Sequence, residues 1–210
     1  MLDAGAGEGA LALKLMQMGF DVEACDLNCE RFNLQTIKCK TVDLNEDLPY
    51  PDISFDFCVC VETIEHLHDP WHLISELNRV LKRDGKLVIT TPNIHSILSR
   101  LRFLFYGEHS FFTYKEFAEK PTDIYHELDK HINPLSFPEL EHIILENKME
   151  LEEVATNMYV HRELSLRGLI AALAYPIIKI LMVKHFGRKT FSAKDELICG
   201  LILILKAKKL

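Results

Sequence analysis

Met1-Leu-Asp-Ala-Gly-Ala-Gly-Glu-Gly9, running into Ala10-Leu-Ala-Leu-Lys-Leu-Met16, decides the fold of this 210-residue chain. The stretch reads as the end of a strand, a glycine turn and then a helix. Gly5, Gly7 and Gly9 carry no Cβ, so the backbone can turn sharply and pass close to a ligand. The helix that follows offers unpaired N–H groups and a positive dipole end to whatever occupies the turn. The spacing is G-x-G-x-G; the dinucleotide fingerprint G-x-G-x-x-G is not met, because Ala10 stands three residues after Gly7. A glycine turn alone is common in α/β proteins, and the rest of the chain gives this one its meaning.

Phe20-Asp-Val-Glu-Ala-Cys25 has the short apolar alternation of a strand and ends in Asp26, 23 residues after Asp3. An acid at the tip of the second strand, about 20 residues past the glycine turn, is where such folds grip a ribose diol. Asp3-x-Gly-x-Gly-x-Gly9 with Asp26 resembles motif I and the ribose-binding acid of class I S-adenosylmethionine-dependent methyltransferases. The resemblance implies S-adenosylmethionine as cofactor. Asp3, Gly5, Ala6, Gly7 and Gly9 would lie against its methionine end, with Asp26 and Leu27 at its ribose. The opening acid, Asp3, fits that family better than it fits nicotinamide dehydrogenases. The plainer role for Asp26 is to cap a turn.

Lys40-Thr-Val-Asp43 reads as the end of a third strand. In the resembled family an acid here bonds the adenine amino group, which implies Asp43 in that role with Leu44 beside the ring; a loop-end turn former is the alternative. Phe57-Cys-Val-Cys-Val61 is a continuous apolar run, as expected of a parallel strand buried on both faces. Asp69 and Pro70 then read as the N-cap and first residue of a helix whose Leu73, Ile74, Leu77, Val80 and Leu81 share one face. Lys82-Arg-Asp-Gly85 ends that helix, and Lys86–Thr91 is the fifth strand. The wording L-P-x-P-D-x-S-F-D, then E-x-x-E-H and L-K-x-x-G-x-L, resembles the same family across about 45 contiguous residues.

Residues 92–150 read as a lid insert. It has an amphipathic helix over Ile94–Gly107, a loop through Phe111, Phe112 and Asp129–Pro134, and a helix Phe137–Asn147. The last carries a capping box of Ser136 and Glu139. In the resembled family this insert covers the substrate. P-N-I-x-S-x-x-x-R-x-x-F-L-x-x-G followed by H-I-x-P-L resembles a subgroup of prokaryotic glycan and lipid-linked sugar biosynthesis. A strand follows near Leu151–Thr156, and Leu201–Lys206 is the last strand, antiparallel and near the fifth in the resembled family.

The whole chain, 1–210, reads as one methyltransferase domain: a doubly wound, mostly parallel Rossmann-like α/β sheet with an antiparallel last strand and a helical lid. An apolar fraction of 48% and a charged fraction of 26% are those of a soluble globular protein. Only Met1 and Leu2 precede Asp3, so the first strand is short and the natural start is expected upstream. Six cysteines without a C-x-x-C pair read as free thiols of a reducing compartment. No signal peptide precedes the fold, and the expected location is cytoplasmic, with a peripheral seat at the inner membrane face as an option.

Residues 1–159 hold 14 Lys/Arg against 28 Asp/Glu, and residues 160–210 hold 10 against 3. The acidic body argues against nucleic acid as partner. The apolar basic stretch 160–189 reads either as a helical flap packed on the domain or as a membrane-interface contact through 164–189, helped by Arg188 and Lys189. Pro176 interrupts it, and Arg167 and Lys179 enclose only 11 uncharged residues, too few to span a bilayer.

Methyl transfer from a sulfonium depends on positioning and desolvation, with a base needed only where the acceptor must lose a proton. Glu62 is expected at the rear of the cofactor pocket, and Glu65, His66 and His131 are the catalytic candidates. The same Glu62, Glu65, His66 and His131 could instead hold a divalent metal, a pattern that resembles small-RNA 2′-O-methyltransferases and some ubiquinone-pathway O-methyltransferases. Without a metal, Glu65 is expected to be solvated and His66 to orient a loop. His109 and His126 fall in the lid and are candidates to touch the acceptor, a small molecule or a lipid-linked sugar. A nicotinamide oxidoreductase and a non-catalytic, membrane-associated cofactor-binding protein are the rival readings.

Overall fold

The computed structural model describes residues 1–113, 130–187 and 190–210; Asp129, His126, Arg188 and Lys189 lie outside the described residues. The chain forms two compact units, residues 1–90, 141–153 and 205–210 in one and residues 91–140 and 154–204 in the other.

One seven-stranded sheet runs through the chain in the order β3-β2-β1-β4-β5-β7-β6. Its strands are β1 Leu2–Ala4, β2 Glu23–Asp26, β3 Cys39–Thr41, β4 Phe55–Val61, β5 Leu81–Pro92, β6 Met149–Thr156 and β7 Ile202–Lys209. The first five strands pair in parallel, with β1 between β2 and β4. The end of β5 meets the start of β7, where Asn93 N–H donates to Leu201 O at 2.9 Å. Lys148 at the start of β6 faces Leu210 at the end of β7, so β7 runs antiparallel to both neighbours. The doubly wound, mostly parallel sheet with an antiparallel last strand is the architecture expected from the sequence.

The short β1 is completely enclosed, with Leu2, Asp3 and Ala4 all buried. Helix α1, Ala10–Gln17, lays Ala12 onto a core of Ala6, Val22, Ala24 and Ile37. Helix α2, Pro70–Val80, starts at Asp69, whose carboxylate accepts His72 N–H at 2.9 Å, and buries Leu73, Ile74, Leu77 and Val80. Each such aliphatic side chain contributes about 1.5–3 kcal/mol. α2 ends at Val80, before the expected Lys82–Gly85 stop. β5 begins at once, because a register shift between Phe55 and Phe57 lets Leu81 pair with Phe55 and Lys86 with Phe57.

In the second unit, α3 (Ile97–Tyr106) is capped by Ser96, whose Oγ accepts Ser99 N–H at 3.2 Å. α4 (Phe137–Glu146) opens with the expected reciprocal box: Glu139 Oε2 accepts Ser136 N–H at 2.9 Å and Ser136 Oγ accepts Glu139 N–H at 3.3 Å. α5 (Leu166–Phe186) and α6 (Asp195–Cys199) pack with α3 around Ile97, Val160, Ala171, Ile198 and Cys199. Asn93, buried just past β5, holds α6 by donating its amide hydrogens to Leu197 O at 3.0 Å and Gly200 O at 2.9 Å.

Three expectations are corrected. The cysteines are not all free: Cys29 and Cys39 form a disulfide across a Cα separation of 5.7 Å, while Cys25, Cys58, Cys60 and Cys199 are buried thiols. The β2–β3 register sets Cys39 beside Ala24, and the tight turn after Asp26 returns Cys29 to it. Glu65 is not solvated but completely buried in the turn after β4. Pro176 does not interrupt the tail helix, which is continuous for 21 residues. Proline removes one donor and crowds the carbonyl four residues back; Ala172 and Pro176 both face solvent, so that carbonyl can turn to water. The helix is long and apolar enough to cross a membrane by length and composition, with a mean hydropathy of 1.8, although its longest uncharged run reads as too short in the sequence.

Candidate cofactor site

The strand order reverses between β1 and β4, and in open α/β sheets ligands bind beyond the carboxyl ends of the strands at such a point. Gly5 to Gly9 leave β1 there. Gly5 and Ala6 N–H both donate to Cys25 O, at 2.9 and 3.0 Å, which ties the turn to the end of β2. Gly5 sits at φ +81° with Thr63 packed where a Cβ would be, so the turn and the tip of β4 close on one another. Gly7, at φ +53°, has open space where a Cβ would be. That space is the cradle a ligand backed by the turn would occupy.

Asp26 stands at the end of β2 and holds the turn from outside. Its Oδ2 accepts Gly7 N–H at 2.8 Å and its Oδ1 accepts Asn28 N–H at 2.9 Å. The turn-capping role is therefore present. Each oxygen keeps a second lone pair for a diol. Leu27 beside it is exposed.

Asp3 is the most informative side chain of the site. It is buried, and among the described residues its Oδ2 has no hydrogen-bond partner. Burial first, and the charge of Asp26 second, push its carboxyl up to about 6. A buried carboxylate oxygen without a donor is costly. The amino group of S-adenosylmethionine would supply a positive donor to this oxygen, so the residues present fit that cofactor.

At the tip of β4, Glu62 adopts φ +48°, a left-handed conformation that costs a non-glycine residue about 1–3 kcal/mol. Thr90 of β5 holds it there. Glu62 N–H donates to Thr90 Oγ1 at 2.9 Å, and the Thr90 hydroxyl donates to Glu62 Oε1 at 2.7 Å. Glu65 and His66 follow in a 3-10 turn, Ile64–His66, the first buried and the second half-buried. Glu62, Glu65 and His66 thus come from one turn of the first unit, and His131 belongs to the second. The His131 Nδ1–H donates to Phe111 O at 2.7 Å.

Asp43 is exposed and Leu44 buried just past β3. Asp43 Oδ1 accepts both the backbone and side-chain N–H of Asn45 at 2.9 Å. Asn45 Oδ1 in turn accepts His68 N–H at 2.8 Å and Asp69 N–H at 3.2 Å. Asn45, Thr63 and Thr90 are site residues that the sequence reading missed. Only Asn45, a turn former two residues after an Asp, carried a local signal. Neither Cys25 nor Cys58 offers a thiolate near neutral pH, since burial pushes both up to about 12.

A methyltransferase-domain family matches residues 2–89. The chain is 31% identical over 100 residues to the 27-O-demethylrifamycin SV methyltransferase of Amycolatopsis mediterranei, covering 42% of this chain and 37% of that protein. It is 28% identical over 104 residues to the ubiquinone biosynthesis O-methyltransferase of Psychrobacter cryohalolentis, covering 44% of this chain and 40% of that one. The chain therefore spans well under two thirds of the length of these curated relatives. A methyltransferase structure from Bacillus halodurans superposes with a TM-score of 0.60 at 18% identity, covering 99% of this chain and 91% of its own. Residues 2–89 thus match a methyltransferase domain, and the chain as a whole shares the fold of the superposed methyltransferase structure.

Proposed function

We propose that the protein transfers the methyl group of S-adenosylmethionine to an oxygen of a small molecule or of a lipid-linked sugar. The observation that carries this reading is the buried Oδ2 of Asp3, without a partner among the described residues, together with the open cradle at Gly7. The cofactor supplies a methyl group already activated on a sulfonium. The chain's own work is to bind, orient and exclude water. Asp3 and the Gly5–Gly9 turn take the methionine end, Asp26 and Leu27 the ribose, Asp43 and Leu44 the adenine, and Glu62 the rear of the pocket. His66, Glu65 and His131 are the groups assigned to the acceptor proton. A metal on Glu62, Glu65, His66 and His131 is not required for this chemistry.

The domain assignment is part of the same proposal: one domain, with residues 92–150 as the acceptor-side lid and 160–189 as the flap. A lipid-linked acceptor is favoured by the outward face of α5. Leu166, Leu169, Leu173, Ile177, Ile180 and Leu181 lie on one helical face and are all exposed. Only 11% of this apolar stretch is buried. β6 before and β7 after α5 are neighbours in one sheet, so the helix suits a position flat on a bilayer rather than across it. In this proposal the helix sits at the cytoplasmic face of a membrane. The Cys29–Cys39 bond is the observation against it, since disulfides are rare in the cytosol; alkylating those two cysteines in intact cells decides the point.

The function is tested by incubating the chain with S-adenosylmethionine labelled in its methyl group and a membrane lipid extract, then partitioning the products. Label in the organic phase, on a base-stable ether, supports transfer to a lipid-linked oxygen. No label in any fraction, from a chain that binds S-adenosylhomocysteine, contradicts it.

A further inference from the structure

Arg100 is assigned no part in cofactor binding or methyl transfer, yet it is an unusual arginine. Its guanidinium is largely buried, and desolvation lowers its pKa. Its hydrogen bonds go from Nε to His95 O at 2.6 Å and from Nη1 to the weak acceptor Met182 Sδ at 3.5 Å. Among the described residues no carboxylate pairs with it. Buried charges are ordinarily paired, because desolvation is costly without a counter-charge. The residue instead lines a cavity of about 460 Å³, and among the described residues none that line it is acidic.

Two imidazoles line the same cavity. His95 Nε2 accepts Phe137 N–H at 3.0 Å, so its proton is on Nδ1, an N–H that Phe137 does not use. His109 Nδ1 pairs with Ser99 Oγ at 3.2 Å, and the same oxygen accepts Ser110 N–H at 3.1 Å. The remaining wall, apart from Ser192, is apolar among the described residues, formed chiefly by Phe103, Met182 and Phe186. Burial, helped by the Arg100 charge, pushes His95 down to about 4, and burial lowers His109 as well, so both rings are neutral at physiological pH.

We propose that this cavity is an anion site for a phosphoryl group attached to an apolar body, with Arg100, His95 and His109 as the donors. A forked guanidinium with two separate N–H donors suits the tetrahedral oxygens of a phosphate better than one planar carboxylate. The phosphate can come from a free organic phosphate or from a lipid headgroup. Arg100, His95 and His109 fall within the lid insert 92–150, and binding there is read without the cofactor.

The test uses the full chain, hexyl phosphate in solution, and phosphatidylcholine vesicles with and without phosphatidic acid. Saturable binding of hexyl phosphate, weakened at least about tenfold in Arg100→Gln and partly restored in Arg100→Lys, supports the site and assigns it to soluble phosphates. Arg100-dependent binding confined to the phosphatidic acid vesicles supports it and assigns it to a headgroup. In the wild-type chain, the His95 and His109 imidazole titrations followed by NMR should move upward on saturation. Binding equal in Arg100→Gln, no binding to either probe, or unmoved imidazoles overturns the proposal.

Discussion

Replacing Asp3 by asparagine separates what the site costs the fold from what it gives the cofactor. The folded carboxyl ionises at about 6, against an ordinary 3.8. Between those values the folded state holds a proton that the unfolded chain has released, so stability falls as pH rises through this window. Two pKa units correspond to about 3 kcal/mol, an upper figure for a group that relaxes when charged. The asparagine side chain has no charge to bury. The stability difference between Asp3→Asn and the wild type should therefore shift in favour of the variant by up to about 3 kcal/mol between pH 4 and pH 7, as measured by urea unfolding at each pH. The absolute difference also contains the cost of the new, unpaired amide donor, and for that reason the pH slope is the diagnostic quantity. Cofactor binding should move the other way. The ammonium partner needs Asp3 ionised, so wild-type affinity for S-adenosylhomocysteine should fall about tenfold per pH unit below 6, and Asp3→Asn should bind weakly at every pH. Parallel stability profiles for the two proteins would refute the buried, partnerless carboxylate.

Other consequences are as direct. Gly7→Ala places a methyl group in the open cradle at φ +53°; it should cost about 1–2 kcal/mol of stability by thermal unfolding and a much larger share of cofactor affinity. Leu173→Glu with Ile177→Glu puts two negative charges on the outward face of α5. The pair should abolish sedimentation with anionic vesicles and leave the melting temperature within a few degrees, because neither side chain is packed inside. Chelating divalent metals should leave methyl transfer unchanged, measured against added magnesium, since displacement at a sulfonium needs no Lewis acid.

What the sequence made legible was encoded locally. The glycine turn, Asp26 at the next strand tip, the Asp69–Pro70 start of α2 and the Ser136–Glu139 box each lie within a few residues of the structure they specify. The features it hid depend on register or on distant partners. Cys29 meets Cys39 only because β2 and β3 pair in parallel with Ala24 beside Cys39. Glu62 is held in a left-handed conformation by Thr90, 28 residues away. The continuity of α5 through Pro176 depends on an orphaned carbonyl that faces water. Glu65 sits in an E-x-x-E-H turn that reads as polar and exposed, and only the packing beyond β4 buries it.

The central claim, that the crevice between β1 and β4 holds S-adenosylmethionine, is tested most directly by calorimetric titration of the folded chain with S-adenosylhomocysteine and, separately, with NAD. The account predicts saturable one-to-one binding of S-adenosylhomocysteine, none of NAD, and loss of binding in Asp26→Ala. A folded wild-type chain that binds NAD and not S-adenosylhomocysteine would contradict it.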